Sequence, residues 1–320
     1  MKDLVLFGDC RETLKEFDEK ARMCVTSPPY YGLRDYGGED NQIGQEESPE
    51  EYIQNLVKVF QEVRNQLTED GTLWVNIGDS YYNYRPGKGQ ALNKQSVSNT
   101  KQDLPDKCAR RGNKLEGLKE KDLIGIPWML AFALRADGWY LRQDIIWHKP
   151  NPMPESVKDR CTKAHEYIFL LSKNRKYYYD HESIKEKAVG ERWGGNKPIN
   201  MNNTKDTTNQ FSGLTRPRKM VYDKRNKRSV WKVATKPYKG AHFAVFPPEL
   251  ITDCIKAGSE EGDIILDPFM GSGTTAMVAK QLGRFYLGCE LHESYGELIQ
   301  NRVPTEEVSH NPLTDLIGRV

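Results

Sequence analysis

Residues 264–290 read IILDPFMGSGTTAMVAKQLGRFYLGCE. A short apolar run ends at Asp267, and glycines at Gly271 and Gly273 form a turn after it. A helical pattern then covers residues 274–282, and a second apolar run ends at Glu290. Short apolar runs bounded by polar residues are typical of buried strands in a parallel sheet. The stretch therefore predicts two parallel strands joined by a helix.

The same alternation extends outward over most of the chain. Ser48, Pro49 and Glu51 form a capping-box pattern, and apolar residues then recur at helical spacing, so we expect a helix that ends near Asp70. Further strands are predicted at 4–7, 23–26, 72–77, 141–147 and 166–171, and further helices at 127–136 and 248–257. Strands that alternate with helices predict an α/β fold with a doubly wound, mostly parallel sheet.

Composition limits the class of protein. A chain of 320 residues is long enough for one large α/β domain, and its 47 Lys and Arg nearly balance its 45 Asp and Glu. No apolar run approaches the roughly 20 residues that cross a bilayer, and the start lacks the apolar core of a signal peptide, so we expect a cytoplasmic protein. The six cysteines are scattered without a CxxC pair, which predicts reduced thiols and no metal site.

Two stretches, 83–120 and 183–239, interrupt the alternation and lack the apolar periodicity of a core. The first is rich in Gly, Lys, Asn and Gln, and the second interleaves basic and aromatic residues. A basic run is often only a solvated loop. Lys and Arg also neutralise phosphates, however, and aromatic faces stack on bases, so we interpret the second stretch as a nucleic-acid contact. The residues predicted to contact DNA are Arg216, Arg218, Lys219, Lys224, Arg225, Lys227 and Arg228.

The glycine turn predicts a ligand site. Glycines let the chain turn tightly and let a ligand approach the backbone, and the helix start offers free N–H groups. About 20 residues after the turn, the Glu290 carboxylate can accept two hydrogen bonds from ribose hydroxyls. The Gly-x-Gly-x-x-Ala spacing alone would fit a structural turn or a nicotinamide dehydrogenase about as well. The Gly-Lys-Ser/Thr of a Walker loop is missing, so ATP chemistry is not expected.

Residues 26–30 read Thr-Ser-Pro-Pro-Tyr and follow a predicted strand directly. Two consecutive prolines have a fixed φ and no N–H, so they form a rigid extended turn whose preceding carbonyls can accept hydrogen bonds. The Ser27 hydroxyl and a nearby carbonyl can accept both protons of an amino group, and the Tyr30 ring can stack on a flat ligand. The pentapeptide predicts a pocket for an amino-bearing base, although a proline-rich strand exit would also account for it.

Both loops resemble those of the DNA amino-methyltransferases, which read (Asp/Asn/Ser)-Pro-Pro-(Tyr/Phe/Trp) and Asp-Pro-Phe-x-Gly-Ser-Gly-Thr. Here the catalytic loop precedes the cofactor loop, an order similar to that of the permuted group called β, which includes many bacterial and phage enzymes. Segments 6–10, 144–151 and 241–247 are also similar to segments of that group. The resemblance implies a Rossmann-like, S-adenosylmethionine-dependent methyltransferase fold in a single, circularly permuted domain. It also implies a target-recognition segment at 183–239 and a cofactor half at 240–320.

The resemblance implies roles for individual residues. In the catalytic loop, which comprises Ser27, Pro28, Pro29 and Tyr30, the serine hydroxyl and the Pro28 carbonyl would accept the two amino N–H bonds. This would pull the amino nitrogen toward tetrahedral geometry, while Tyr30 stacks on the flipped base. The implied contacts to S-adenosylmethionine are Asp9, Cys10, Thr26, His242, Phe243, Asp267, Pro268, Phe269, Gly271, Ser272, Gly273, Thr274 and Glu290.

The first residue of the catalytic loop guides the choice of target. In the family that the chain resembles, Ser mostly accompanies cytosine N4, and Asp or Asn accompanies adenine N6, so we expect cytosine N4 in duplex DNA. Adenine N6 stays an alternative because a hydroxyl and a carboxylate both accept an amino proton. Methylation at cytosine C5 typically uses a Pro-Cys thiolate, and no cysteine here follows a proline.

More remote alternatives are an RNA or protein methyltransferase and a non-catalytic nucleic-acid-binding protein. For a modification enzyme, a cognate restriction endonuclease would be the expected partner.

Overall fold

The structure is a computed structural model that describes residues 2–32, 42–82, 115, 117–188, 223–235 and 246–303. The strands are β1 (Leu4–Phe7), β2 (Ala21–Thr26), β3 (Leu67–Ile77), β4 (Tyr140–His148), β5 (His165–Ser172), β6 (Glu186–Lys187), β7 (Lys224–Arg225), β8 (Val230–Lys232), β9 (Ile264–Asp267) and β10 (Phe285–Glu290). The helices are α1 (Cys10–Thr13), α2 (Pro49–Gln66), α3 (Ile126–Ala136), α4 (Pro248–Gly258), α5 (Thr274–Gln281) and α6 (Gly296–Arg302).

Eight of these strands form one sheet in the order β1-β10-β9-β2-β3-β5-β4-β8. The pairs from β1 through β3 are all parallel, β5 runs antiparallel to both of its neighbours, and β8 is parallel to β4. The predicted α/β class with a mostly parallel sheet is confirmed. We call the side at which β1, β10, β9, β2, β3 and β4 end the carboxyl edge, and β5 begins there because it is antiparallel.

Helices cover both faces of the sheet because successive strand side chains point to opposite faces. Cys24 lies in a buried cluster with the apolar residues of α2 and α3. Its neighbours Met23 and Val25 lie in a second cluster with those of α4 and α5. The doubly wound arrangement that the alternation predicted is therefore present. Among the described residues, no helix is long and apolar enough to cross a membrane.

The predicted boundary between α2 and β3 was wrong by a few residues. The helix ends at Gln66 and β3 begins at Leu67, so Asp70 lies inside the strand rather than at a helix end. The reason is tertiary: Leu67 pairs with Ala21 of β2, and Arg22 forms an ion pair with Asp70. These contacts hold the segment in an extended conformation.

The second interruption, 183–239, lacks the apolar periodicity of a core of its own, and within the described residues one short segment of it joins the main sheet. Val230–Lys232 forms β8 and pairs with β4, and Trp231 is buried with its indole N–H donating 2.8 Å to the Arg228 carbonyl. An isolated three-residue strand has no sequence signal of its own, but an exposed sheet edge can recruit it through backbone hydrogen bonds. Residues 83–114 of the first interruption lie outside the described residues.

Candidate active site

The carboxyl edge brings the ends of four neighbouring strands together. Phe7 at the end of β1 pairs with Glu290 at the end of β10, and Gly288 of β10 pairs with Asp267 at the end of β9. The next strand, β2, ends at Thr26, directly before the Ser-Pro-Pro-Tyr loop. Segments far apart in sequence thus leave the sheet side by side. This is where open α/β sheets generally bind ligands.

Asp267 joins the two loops through a fully buried carboxylate. Its Oδ1 accepts hydrogen bonds from the Thr26 hydroxyl at 2.6 Å and from the Phe269 N–H at 3.0 Å, and its Oδ2 accepts one from the Thr275 hydroxyl at 2.6 Å. Burial raises the pKa of Asp267 to about 6, although these three donors act to lower it. The carboxylate therefore fixes the end of β2, the glycine turn and the start of α5 relative to one another.

The glycine turn is shaped by positive backbone angles. Gly271 has φ 54° and Gly273 has φ 79°, a region that residues with a Cβ rarely adopt. At Gly273 an added Cβ would also lie 3.2 Å from Ile299 of α6. Ser272 is buried, and its hydroxyl accepts a 2.5 Å hydrogen bond from Arg302. Of the other predicted residues, Pro268 and Phe269 lie in the turn after β9, and Thr274 is the first residue of α5.

Glu290 lies on the other side of the turn. Its Oε2 accepts a 2.7 Å hydrogen bond from the Gly271 N–H, and its Oε1 accepts one of 3.1 Å from the His292 N–H. Burial, with a smaller contribution from the nearby Asp267 charge, raises the pKa of Glu290 to about 7, because the backbone N–H donors that act to lower it do not offset the loss of solvation. Because Glu290 is buried, little water is available to donate to its remaining acceptor positions. The two hydroxyls of a ribose would supply those donors.

The raised pKa of Glu290 predicts that the free energy of unfolding depends on pH. The folded protein holds this proton up to about pH 7, whereas an unfolded glutamate releases it near pH 4.5. The folded state therefore binds more protons between these values, and stability falls as pH rises through that window. With about 1.4 kcal/mol per pKa unit, the loss amounts to about 3 kcal/mol.

We expect Glu290→Gln to flatten this slope in urea unfolding of the ligand-free protein between pH 5 and pH 8. Asp267 acts in the same direction up to about pH 6 and remains in the variant, so the slope decreases without vanishing. An unchanged slope would show that Glu290 titrates as a solvated carboxylate.

Asp9 and Cys10, the other predicted cofactor residues near the chain start, lie beside Glu290. The Gly8 N–H donates 2.8 Å to the Glu290 carbonyl, which places the start of α1 next to the end of β10. Burial opposes ionisation of Asp9, but hydrogen bonds and the charge of Arg11 lower its pKa overall. Cys10 is buried, and burial raises the pKa of its thiol well above the usual value.

The catalytic loop is held at its backbone. Pro28 is buried and Pro29 half-buried, and the Tyr52 hydroxyl of α2 donates 2.7 Å to the Pro29 carbonyl. Among the described residues the Pro28 carbonyl has no hydrogen-bond donor. Ser27 is half-buried, follows the buried Thr26 directly, and its side chain hydrogen-bonds with that of Tyr30. The loop therefore presents an acceptor carbonyl and a hydroxyl next to the glycine turn.

Tyr30 contacts residues that sequence reasoning missed. Its hydroxyl donates 2.7 Å to Glu166 Oε2 at the start of β5, and Glu166 forms an ion pair with Lys149. Burial and the Glu166 charge raise the pKa of Tyr30 well above its usual value, so the phenol stays protonated and remains a donor. Gly78, after β3, leaves room for the ring, since a Cβ there would lie 2.7 Å from Tyr30 Cε2.

The predicted DNA contacts divide into two sets. Arg225 and Arg228 both pair with Glu186, at 2.8 and 2.6 Å, and Lys227 pairs with Asp253 of α4 at 2.5 Å. These charges stabilise the β6–β7 ribbon and its contact with α4, and their role in DNA binding stays a prediction, as does that of the exposed Lys224. Arg216, Arg218 and Lys219 lie outside the described residues, as do the predicted cofactor residues His242 and Phe243.

Comparisons with known proteins agree with this arrangement. A family model described as DNA methylase matches residues 21–301. The Type II methyltransferase M.SmaI of Serratia marcescens is 47% identical over 305 residues, covering 93% of this chain and 90% of that protein. M.Cfr9I of Citrobacter freundii is 46% identical over 303 residues, covering 94% and 88%.

Two solved structures resemble the fold. The PvuII DNA methyltransferase, described as cytosine-N4-specific, gives a TM-score of 0.61 at 18% identity and covers 99% of this chain and 91% of that one. The complex of M1.HpyAVI with SAM gives 0.51 at 17% identity and covers 93% and 98%. At these identities the likeness concerns the fold.

Proposed function

This chain belongs to the DNA methylase family, and from that premise we propose that it transfers a methyl group from S-adenosylmethionine to cytosine N4 in duplex DNA. The observation that carries the proposal is the 2.6 Å hydrogen bond between Thr26 and Asp267. It holds the loop with the amino-group acceptors directly beside the glycine turn. A methyl donor in the turn and a base at Ser27 would therefore be neighbours.

The residues around the turn fit an adenosyl ligand. Gly271 and Gly273 give the turn the positive φ angles that its tight path requires, and the buried Glu290 carboxylate retains acceptor capacity for ribose hydroxyls. When bound, S-adenosylmethionine would supply an electrophilic methyl group on its sulfonium. Asp9 and Cys10, beside Glu290, would complete the nucleoside end of this site. We also infer the permuted arrangement of the β group, because β1 lies next to β10 in the sheet and the catalytic loop precedes the cofactor loop in the sequence.

The catalytic loop would orient the base. An exocyclic amino nitrogen is a poor nucleophile because its lone pair is conjugated with the ring. In the proposed pose the Ser27 hydroxyl and the Pro28 carbonyl accept its two N–H bonds, which favours a tetrahedral nitrogen with a localised lone pair. Tyr30 would stack on the base after it leaves the duplex and so offset part of the unstacking cost. Because the buried prolines hold the acceptors in place, their orientation costs nothing at the moment of reaction.

The target base is decided by nucleoside mass spectrometry of DNA from methylation-deficient bacteria that express the chain. We expect N4-methylcytosine in the wild type and much less of it in a Ser27→Ala strain. N6-methyladenine would identify the alternative target, for which a serine hydroxyl is also a competent acceptor. Sequencing of methylated positions in the same DNA gives the recognition site. If the chain is the modification half of a Type II system, as its relatives' names suggest, that site will be protected from a cognate restriction endonuclease.

A further inference from the structure

We propose that Glu166 is a positioning residue that holds the Tyr30 ring in the orientation required to stack on a flipped base, an inference that rests on the proposed function. Tyr30 is the aromatic residue of the catalytic loop, and Glu166 is the second residue of β5, 136 residues later in the chain. The assignment follows from hydrogen bonding at both oxygens of the carboxylate and from the packing of Gly78.

Each oxygen of Glu166 has its own partners. The Oε2 atom accepts the Tyr30 hydroxyl at 2.7 Å and the Asn76 side-chain N–H at 3.2 Å. The Oε1 atom pairs with the Lys149 ammonium. Asn76 is buried and also donates 3.1 Å to the Tyr167 carbonyl. The Glu166 carboxylate, which accepts the Tyr30 hydroxyl, is thus held by Asn76 of β3 and by Lys149 of the segment after β4, while its own backbone lies in β5.

A carboxylate is the group that this arrangement requires. The Glu166 side chain is 14% exposed and the Lys149 side chain 19%, so the two charges compensate each other where water is scarce. An amide has one acceptor oxygen and one donor nitrogen. A glutamine at this position would have to turn its NH2 group either toward the Lys149 ammonium or toward the Tyr30 hydroxyl.

The ring of Tyr30 is restricted from two directions. Its backbone is held where the Pro29 carbonyl accepts the Tyr52 hydroxyl, and its tip is held by Glu166. Gly78 lies against the ring edge, and a Cβ at Gly78 would also come within 3.4 Å of Glu166 Cδ. Fixing both ends of a tyrosine removes its freedom about χ1 and χ2. A stacking platform that is already oriented loses less entropy when the base arrives.

The kinetic test is a double-mutant cycle of Tyr30→Phe and Glu166→Gln. The substrate is duplex DNA that carries the recognition site found by sequencing. Asp3→Asn is the matched control, because Asp3 also forms a partly buried ion pair, with Lys280, at the opposite edge of the sheet. Each of the two single variants should lower kcat/KM for DNA about tenfold, as expected for loss of a charge-assisted hydrogen bond. The double variant should show the same tenfold loss, because both changes remove one interaction. Multiplied losses near 100-fold, or no loss in Glu166→Gln, would overturn the proposal.

A second readout does not depend on methyl transfer. In protein labelled with ¹³C at tyrosine Cζ, the Tyr30 signal is the one that Tyr30→Phe removes. Glu166→Gln should shift that signal, because the phenol loses its charged acceptor, and Asp3→Asn should leave it unmoved. An unshifted Tyr30 signal in Glu166→Gln contradicts the proposal. If the wild type methylates no DNA while the signal still shifts, the proposed function fails but the Tyr30–Glu166 interaction stands.

Gly78→Ala tests the position of the Tyr30 ring without changing any charge. The added methyl group must displace the Tyr30 ring, so we expect a loss in kcat/KM for DNA similar to that of Glu166→Gln, and wild-type affinity for S-adenosylmethionine. A Gly78→Ala protein whose Tyr30 signal shifts while its kinetics stay at the wild-type values would show that the ring position is immaterial.

Discussion

Replacing Asp267 with alanine is expected to abolish detectable methyl transfer and to weaken S-adenosylmethionine binding at least about 100-fold. The change removes the acceptor for the hydroxyls of Thr26 and Thr275 and for the Phe269 N–H, all at a residue that is 1% exposed. A buried donor left without an acceptor costs about 1–3 kcal/mol, and a factor of 100 in affinity corresponds to about 2.7 kcal/mol. The glycine turn and the end of β2 would no longer hold their relative positions.

Isothermal titration calorimetry with S-adenosylmethionine measures the effect. Asp263→Ala is the matched control, because Asp263 precedes the same strand, β9, at its other end and pairs with Arg22. It should cost stability while leaving cofactor affinity within about twofold. Asp267→Asn should bind better than Asp267→Ala, since the amide oxygen can still accept from Thr26 and Phe269. Wild-type affinity in Asp267→Ala would contradict the linking role of this carboxylate.

Ser27→Ala is expected to lower the rate of methyl transfer about 100- to 1000-fold, the usual cost of removing one preorganised hydrogen-bond partner of a reacting group. Affinity for S-adenosylmethionine should stay unchanged, because Ser27 follows Thr26 and does not contact the glycine turn through any hydrogen bond among the described residues. The loss should therefore appear in the chemical step.

Single-turnover assays with enzyme in excess over duplex DNA separate that step from product release. Ser259→Ala also removes a serine hydroxyl, which in this case donates a hydrogen bond to the Ile255 carbonyl. Ser259 is buried and lies far from the carboxyl edge. It serves as the control and should retain the wild-type rate. A Ser27→Ala enzyme that transfers methyl groups at the wild-type rate would remove this hydroxyl from the proposed mechanism.

The parts of the fold that were predicted correctly are those in which local pattern and tertiary role coincide. The strands at 4–7, 264–267 and 285–290 have the predicted bounds, because each is a short apolar run between polar or glycine turns and pairs within the parallel part of the sheet. The start of α2 was predictable because Ser48 caps it by accepting the Glu51 N–H.

Other features depend on contacts that no local pattern encodes. The start of β3 is set by pairing with Ala21, and β8 exists because β4 offers an unpaired edge. In the site, Ser27 and Asp267 were found because they belong to recognisable loops. Glu166 lies in an apolar strand that resembles any core strand, and its only sequence signal is a charged residue within that run. Its meaning depends on the topology that brings β5 beside the catalytic loop.

The pairing of β1 with β10 affects how a newly made chain can fold. Leu4 of β1 is synthesised long before its partner Leu287 of β10. Until then β1 lacks its neighbour in the sheet, and the carboxylate at Glu290 does not yet exist as part of any site. Closing so long a loop is slow compared with forming local contacts. The nascent chain can therefore assemble its catalytic loop early, but it gains the capacity to hold a methyl donor only once β10 has been synthesised.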